Sequence, residues 1–180
     1  MISSVAVSRP TSVAIFRRKT PNRITVPAQV RYHLRRHNLE HTTPDRQEIY
    51  RLLALAKHNR DGANFNRDTF PELAYNADYF AILNGCDALL ISCGYRARGF
   101  GGHKVAINCA ASLLRPTYQR SALLLQQSIS GVVRRTRCRA MYDGESVQDA
   151  KLAELAKSVD IVLADISKAV EQQMRRLGLA

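Results

Sequence analysis

An arginine and a histidine set against a phosphodiester can cleave RNA with no metal. The 2′-OH attacks its own phosphorus while imidazole moves a proton and guanidinium holds the developing charge. The segment Gly94-Tyr95-Arg96-Ala97-Arg98-Gly99-Phe100-Gly101-Gly102-His103 offers both groups. Four residues separate Arg98 from His103, and six separate Arg96 from it. Its glycines let a nucleic-acid backbone come close. A helix opening at His103 would add free backbone N–H groups and a positive dipole end, which attract phosphate. The competing reading is a glycine-rich connector with two solvated arginines and an N-cap histidine.

A second basic group lies downstream. Arg134, Arg135, Arg137 and Arg139 close a helical pattern, and Arg135, Arg139 and Tyr142 share a face at i, i+4, i+7 spacing. Cations at a helix C-terminus are favoured by the dipole alone. The functional reading is a nucleic-acid surface on which Tyr142 stacks a base or bonds near the site. His33, His37 and His41 recur every four residues, but no third ligand is assured, so they read as a solvated face and no metal site is assigned. No glycine-rich nucleotide fingerprint is present, and no cofactor is expected.

The charge balance favours an anionic partner. The 180-residue chain carries 27 Lys+Arg against 15 Asp+Glu, a net charge of +12. Eight cations precede the first acid, Glu40, and nine more lie between Asp87 and Asp143 with no acid among them. Four cysteines, at 86, 93, 109 and 138, show no Cys-x-x-Cys spacing and fit reduced thiols in a cytosolic protein. No apolar run approaches the ~20 residues needed to cross a membrane, so a cytoplasmic location is expected.

Helical periodicity supplies the elements that would position these groups. Residues 1–25 show no sustained period and read as a flexible basic arm, leaving 26–180 as one helical domain. A short helix is predicted over 27–38, starting at Pro27. Thr43-Pro44 reads as a cap and first-turn proline for an amphipathic helix over 44–60, ended by Asp61-Gly62. Asp68 or Thr69 would cap a helix over 69–93 that is apolar on almost every side, the mark of a central helix. Gly94 ends it, 96–102 is a loop, and helices follow over 103–114 and 118–141. Ser146 caps the last, which runs to Met174. No convincing strand is present. The expected fold is an all-α antiparallel bundle of about five helices.

Several stretches resemble the HEPN family. Its motif is an arginine, four to six residues, then a histidine. One prokaryotic branch reads roughly AYNA, A.ALL, GYR and GH through the central helix and junction. This chain has Ala74-Tyr75-Asn76-Ala77, Asp87-Ala88-Leu89-Leu90, Gly94-Tyr95-Arg96 and Gly102-His103. Upstream, Ile49-Tyr50-Arg51-Leu52-Leu53-Ala54-Leu55-Ala56 is similar to that branch's first helix. Downstream, Arg137-Cys138-Arg139-Ala140-Met141-Tyr142-Asp143-Gly144 stands where the branch has Arg-Asn before a YDG turn. Lys104 takes the place of a frequent second histidine, and Cys138 that of the asparagine. The resemblance covers roughly 40–175.

It implies a metal-independent endoribonuclease of the toxin type. Arg96 and His103 would be catalytic, at a homodimer interface where two such pairs face one cleft. The Gly-Tyr-Arg context favours Arg96 over Arg98, which with Lys104 and Tyr142 would act in support. It also implies an antitoxin partner, commonly a small nucleotidyltransferase. The alternatives are a non-catalytic RNA- or nucleotide-binding module of the same fold, and an adaptor docking an acidic protein.

Overall fold

A computed structural model describes residues 26–99 and 101–179. The expected arm, 1–25, lies outside the described residues. The chain forms α1 (Ala28–Arg35), β1 (Leu39–His41), α2 (Arg46–Asn66), α3 (Pro71–Ser92), β2 (Tyr95–Ala97) and α4 (Gly102–Leu114). A long helix over 119–143, here α5, follows. It is α-helical at Gln119–Leu124 and Arg134–Cys138, and π-helical at Leu125–Val133 and Arg139–Asp143. Helix α6 (Asp149–Leu177) closes the chain.

Helix α3 is the axis of the bundle. It buries residues around its whole circumference, among them Tyr79, Ile82, Cys86, Leu89 and Leu90, so every other long helix must pack on it. Gly85 permits the closest approach: a Cβ there would lie 2.9 Å from a Leu163 methyl and 3.3 Å from an Ile166 methyl of α6. The carboxylate of Asp78, fully buried, takes Arg60 of α2 at 2.9 Å and Arg67 at 3.4 Å. Arg60 also grips Asp160 of α6 through two bonds of 2.8 Å. A buried carboxylate is tolerable only when paired in this way, and the pairing fixes the register of α2, α3 and α6.

The bundle is helical as expected, but its helices are not all antiparallel. Helix α2 runs against α3: its end reaches Asp78 through Arg67, and its start, Glu48, meets Arg96 just beyond the end of α3. Helix α6 runs with α3, since Asp78 and Asp160 sit at one level while Leu89 and Arg176 line one cavity. Helix α4 also runs with α3: His103 lies by Tyr79 and Phe80, and Leu113 by Leu89. The segment between α3 and α4 must therefore travel back along α3.

Part of that return is β-structure, which the sequence reading missed. Strand β2 pairs antiparallel with β1, Glu40 opposite Arg96. Three residues per strand are too few for an alternating pattern, and the partners are far apart in sequence. Arg96 thus belongs to a strand rather than to a loop.

Several helix ends also differ from expectation. The cap of α2 is Asp45, whose carboxylate accepts the Glu48 amide at 2.9 Å, not Thr43. Helix α2 runs through Asp61-Gly62 to Asn66, because the next turn buries Ala63 and Asn66 donates to the Gly62 carbonyl at 2.8 Å. An interior glycine costs about 1 kcal/mol, and that burial offsets it. Helix α3 starts with Pro71 after Phe70, without a side-chain cap from Asp68 or Thr69. Helix α6 starts at Asp149 rather than after Ser146, since Val147 is drawn inward and its amide donates to Glu72 at 3.2 Å.

Candidate functional site

The start of α4 and the C-terminal half of α5 enclose a cleft of about 390 Å³, floored by Tyr79 of α3. Gly99, Gly101, Gly102, His103 and Lys104 form one wall, and Arg134, Arg137 and Cys138 the other. The glycines are there for conformational reasons: Gly99 and Gly101 have φ of +71° and +85°, in the left-handed region that disfavours side chains. With Gly101 as N-cap, the first amides of α4 carry no side-chain cap. Among the described residues that line the cleft, none is acidic.

His103 is held on one side and open on the other. Its ring lies 6.1 Å from those of both Tyr79 and Phe80, edge-on to the latter. Burial against them, then the charges of Arg137 and Arg134, push the imidazole below its ordinary value of 6.5. It is therefore neutral at pH 7 and able to accept a proton.

Arg137 is the most firmly positioned cation of the cleft lining. Its guanidinium lies 4.9 Å from the Tyr79 ring centre and 5.3 Å from that of Phe80. It donates to Asn76 Oδ1 at 3.4 Å. Its Nε and the Tyr79 hydroxyl are buried without a hydrogen-bond partner among the described residues. Burial raises the Tyr79 phenol, against the pull of Arg137 and Arg134, so it stays protonated.

The residues singled out from the sequence divide into three groups. His103, Lys104, Arg134 and Arg137 come together in the cleft. Arg96 and Arg98 are not among its described lining residues. Arg96 bonds Glu48 at 2.6 Å, with Asp87 close enough to act on its charge, and Arg98 pairs with Glu40 at 3.2 Å. Arg135, Arg139 and Tyr142 are exposed on α5 outside the cleft lining, Arg139 at 3.9 Å from Glu145 and Tyr142 76% exposed. The expected shared face of Arg135, Arg139 and Tyr142 assumed a regular α-helix. Arg134, Arg137 and Cys138, at i, i+3, i+4 in the α-helical turn just before the π-turn at Arg139–Asp143, are the α5 residues that line the cleft.

Sequence reading passed over Tyr79, took Phe80 only as an apolar position of the central helix, and gave Asn76 no role; both rings hold Arg137 and His103. The signal was in the spacing: Asn76, Tyr79 and Phe80 stand at i, i+3, i+4 on one face of α3. The histidines at 33, 37 and 41 do not share a solvated face. His33 is buried and bonded to Gln29 at 3.0 Å, while His41 lies in β1 beside Tyr95.

No family model, curated protein or solved structure matches this chain. The sequence resemblance to HEPN domains has no counterpart in these comparisons. No described helix is long and apolar enough to cross a membrane.

Proposed function

We propose that the chain is an RNA-cleaving protein of the kind its HEPN resemblance implies, with the phosphodiester seated in the α4–α5 cleft. One observation carries this reading: the described cleft lining joins His103 to Lys104, Arg134 and Arg137 with no carboxylate among them. A phosphate is the ligand such a lining attracts, because each cation lacks an internal counter-charge there.

In this reading His103 takes the proton from the ribose 2′-OH. The 2′-oxygen then attacks the adjacent phosphorus, the P–O5′ bond breaks, and the departing 5′-oxygen is protonated. The products are a 2′,3′-cyclic phosphate and a 5′-hydroxyl. Arg137, fixed between Asn76 and two aromatic rings, holds a non-bridging oxygen throughout, with Arg134 and Lys104 adding charge at the rim. Phosphate binding also compensates Arg134 and Arg137, which strengthens His103 as a base at the moment it is needed. A homodimer with two apposed clefts supplies a second imidazole to protonate the leaving oxygen. Met141 and Tyr142, exposed apolar groups on the helix that carries Arg134 and Arg137, would be available to such an interface. The Arg96 and Arg98 of the expected motif brace the junction through Glu48 and Glu40 in this scheme.

The test is cleavage of a single-stranded RNA by the purified full chain in the presence of a chelator. Cleavage by the wild type and its loss in His103→Ala, with DNA left intact, is the expected result. RNA bound but uncut by the wild type would replace the enzyme with a binding module. Cleavage untouched by His103→Ala would remove His103 from the chemistry.

A further inference from the structure

A single cleft uses few of the chain's 27 cations, and α1 presents another set. Its eight residues contain no acid. Val30 and His33 are buried beneath it, which leaves Arg31, Tyr32 and Arg35 on the outward side, joined by Arg36 at the helix end. Among the described ion pairs, none of the three arginines is matched by a carboxylate. Arg36 instead lies over the Tyr32 ring, its guanidinium carbon 5.2 Å from the ring centre, and Tyr32 is 43% exposed. An exposed aromatic ring beside unneutralised guanidinium groups is the surface on which single-stranded nucleic acid is held: cations follow the phosphates and a ring takes a base.

This surface is tied to the cleft through the backbone. Asn38, two residues after Arg36, accepts a backbone hydrogen bond from Arg98 at 2.9 Å. Gly99, the next residue, lines the cleft. Successive Cα atoms are about 3.8 Å apart, so the end of α1 lies within a few nucleotides' reach of the cleft rim. Glu40, an acidic side chain beside this route, is already matched by Arg98 at 3.2 Å.

We infer that α1 is a second RNA contact: a single strand seated by one phosphate at His103 continues over Gly99 onto Arg31, Arg35, Arg36 and Tyr32. This inference rests on the reading of the cleft as an RNA site. It adds the class of substrate, a single strand longer than the cleft itself. A base in a duplex cannot stack on Tyr32 while paired, so a duplex forfeits that contact.

The experiment compares the full-length wild type with the triple variant R31Q/R35Q/R36Q. The probes are 2′-O-methyl single-stranded RNAs of about 20 and about 4 nucleotides, which cannot be cut at the blocked 2′ position. Affinity is read by fluorescence anisotropy across a salt series. The triple variant should keep its melting temperature, since all three side chains are exposed. It should bind the long RNA about tenfold more weakly or worse, and its slope of log affinity against log salt should be shallower by about 2, about 0.7 for each lost phosphate contact. The short RNA should lose far less. R35E/R36E, which adds repulsion, should weaken the long RNA further.

Cleavage of the unmodified long RNA by the wild type is measured in parallel. Long-RNA affinity and salt slope that are the same in wild type and both variants would overturn α1 as a contact, even if the wild type cuts RNA. A wild type whose binding depends on α1 but which cuts nothing would keep the contact and remove the enzyme. A wild type that binds neither RNA would overturn both.

Discussion

Arginine is held at two corners of the junction between α3 and α4, and its surroundings differ between them. At the first corner Arg96 leaves β2 to meet Glu48 at 2.6 Å, with Asp87 and Glu40 also acting on it. At the second, Arg137 leaves α5 to lie on two aromatic rings and an amide, with Lys104 and Arg134 as neighbours and no acid in the described lining. One guanidinium is satisfied within the chain, the other only partly. An arginine whose charge is already matched contributes order. An arginine held in place by aromatic faces and an amide keeps its charge for something that arrives. The lesson is that an arginine–histidine spacing identifies a candidate, while the location of the nearest carboxylate decides what the arginine is for.

The sharpest break of this comparison is at His103. His103→Ala should lower RNA cleavage by ~10²–10⁴-fold, with RNA affinity and thermal melting nearly unchanged. Next come the two arginines measured side by side. Arg137→Ala should weaken RNA binding by roughly 10- to 100-fold, the effect of one charged hydrogen-bonded contact, and cleavage with it. Arg96→Ala should leave RNA affinity within about threefold and act on stability instead, since Glu48 and Asp87 lose their partner. Equal losses of RNA affinity from the two would erase the distinction between the corners.

The acid at the first corner provides a test by pH. Burial raises the Asp87 carboxyl to about 6, with Arg96 pulling it down and Glu48 pushing it up. The folded chain therefore holds this proton more tightly than the unfolded chain, whose carboxyl titrates near 3.8. Stability falls as pH rises from about 4 to about 6, and above that range the whole cost of the buried charge is present. Asp87→Asn should then stabilise the protein by about 1–3 kcal/mol at pH 7–8, since a tenfold difference in proton affinity between folded and unfolded chain is worth about 1.4 kcal/mol. Denaturant midpoints at pH 7.5 and pH 4 measure this, and the gain should vanish at the lower pH. For His103 the sign is reversed. Its proton is disfavoured in the folded, unliganded state, so the acid limb of the kcat/KM profile should lie below pH 6.5. An acid limb above pH 7 would contradict the surroundings described for His103.

The smallest expected effect is Arg98→Gln. This side chain is 64% exposed and paired with Glu40, so stability should change by less than about 1 kcal/mol. RNA affinity should move far less than in Arg137→Ala.

Much of the fold could be read from the chain, and for definite reasons. Helix α3 announces itself because it is apolar all round, and α4 because Ile107, Ala110, Ala111 and Leu114 repeat at helical spacing. What escaped depends on partners remote in sequence. Glu40 and Arg96 are opposite one another in the sheet, but 56 positions apart. The parallel course of α4 along α3 follows from that pairing, since the strand carries the chain back before α4 begins. The cleft was half legible. His103, Lys104, Arg134 and Arg137 were all singled out, but which arginine stands beside His103 depends on where α5 docks and on the π-turns within it. Cys138 entered only as a replacement for an asparagine, and its place in the cleft wall could not be read from its neighbours.

The position of α3 also has a consequence for how the chain is made. On the ribosome, α2 and α3 emerge together and can close as a hairpin at once, because their contacts are local. The face of α3 around Gly85 has to wait. Its cover, Leu163 and Ile166, belongs to α6, which is made only after some 70 further residues. Until then the most apolar helix of the chain has a bare side, a state prone to aggregation. Nascent chains stopped before Asp149 should therefore scatter light or bind hydrophobic dye. Those released at full length should not, and any chaperone that attends this protein has that interval in which to act.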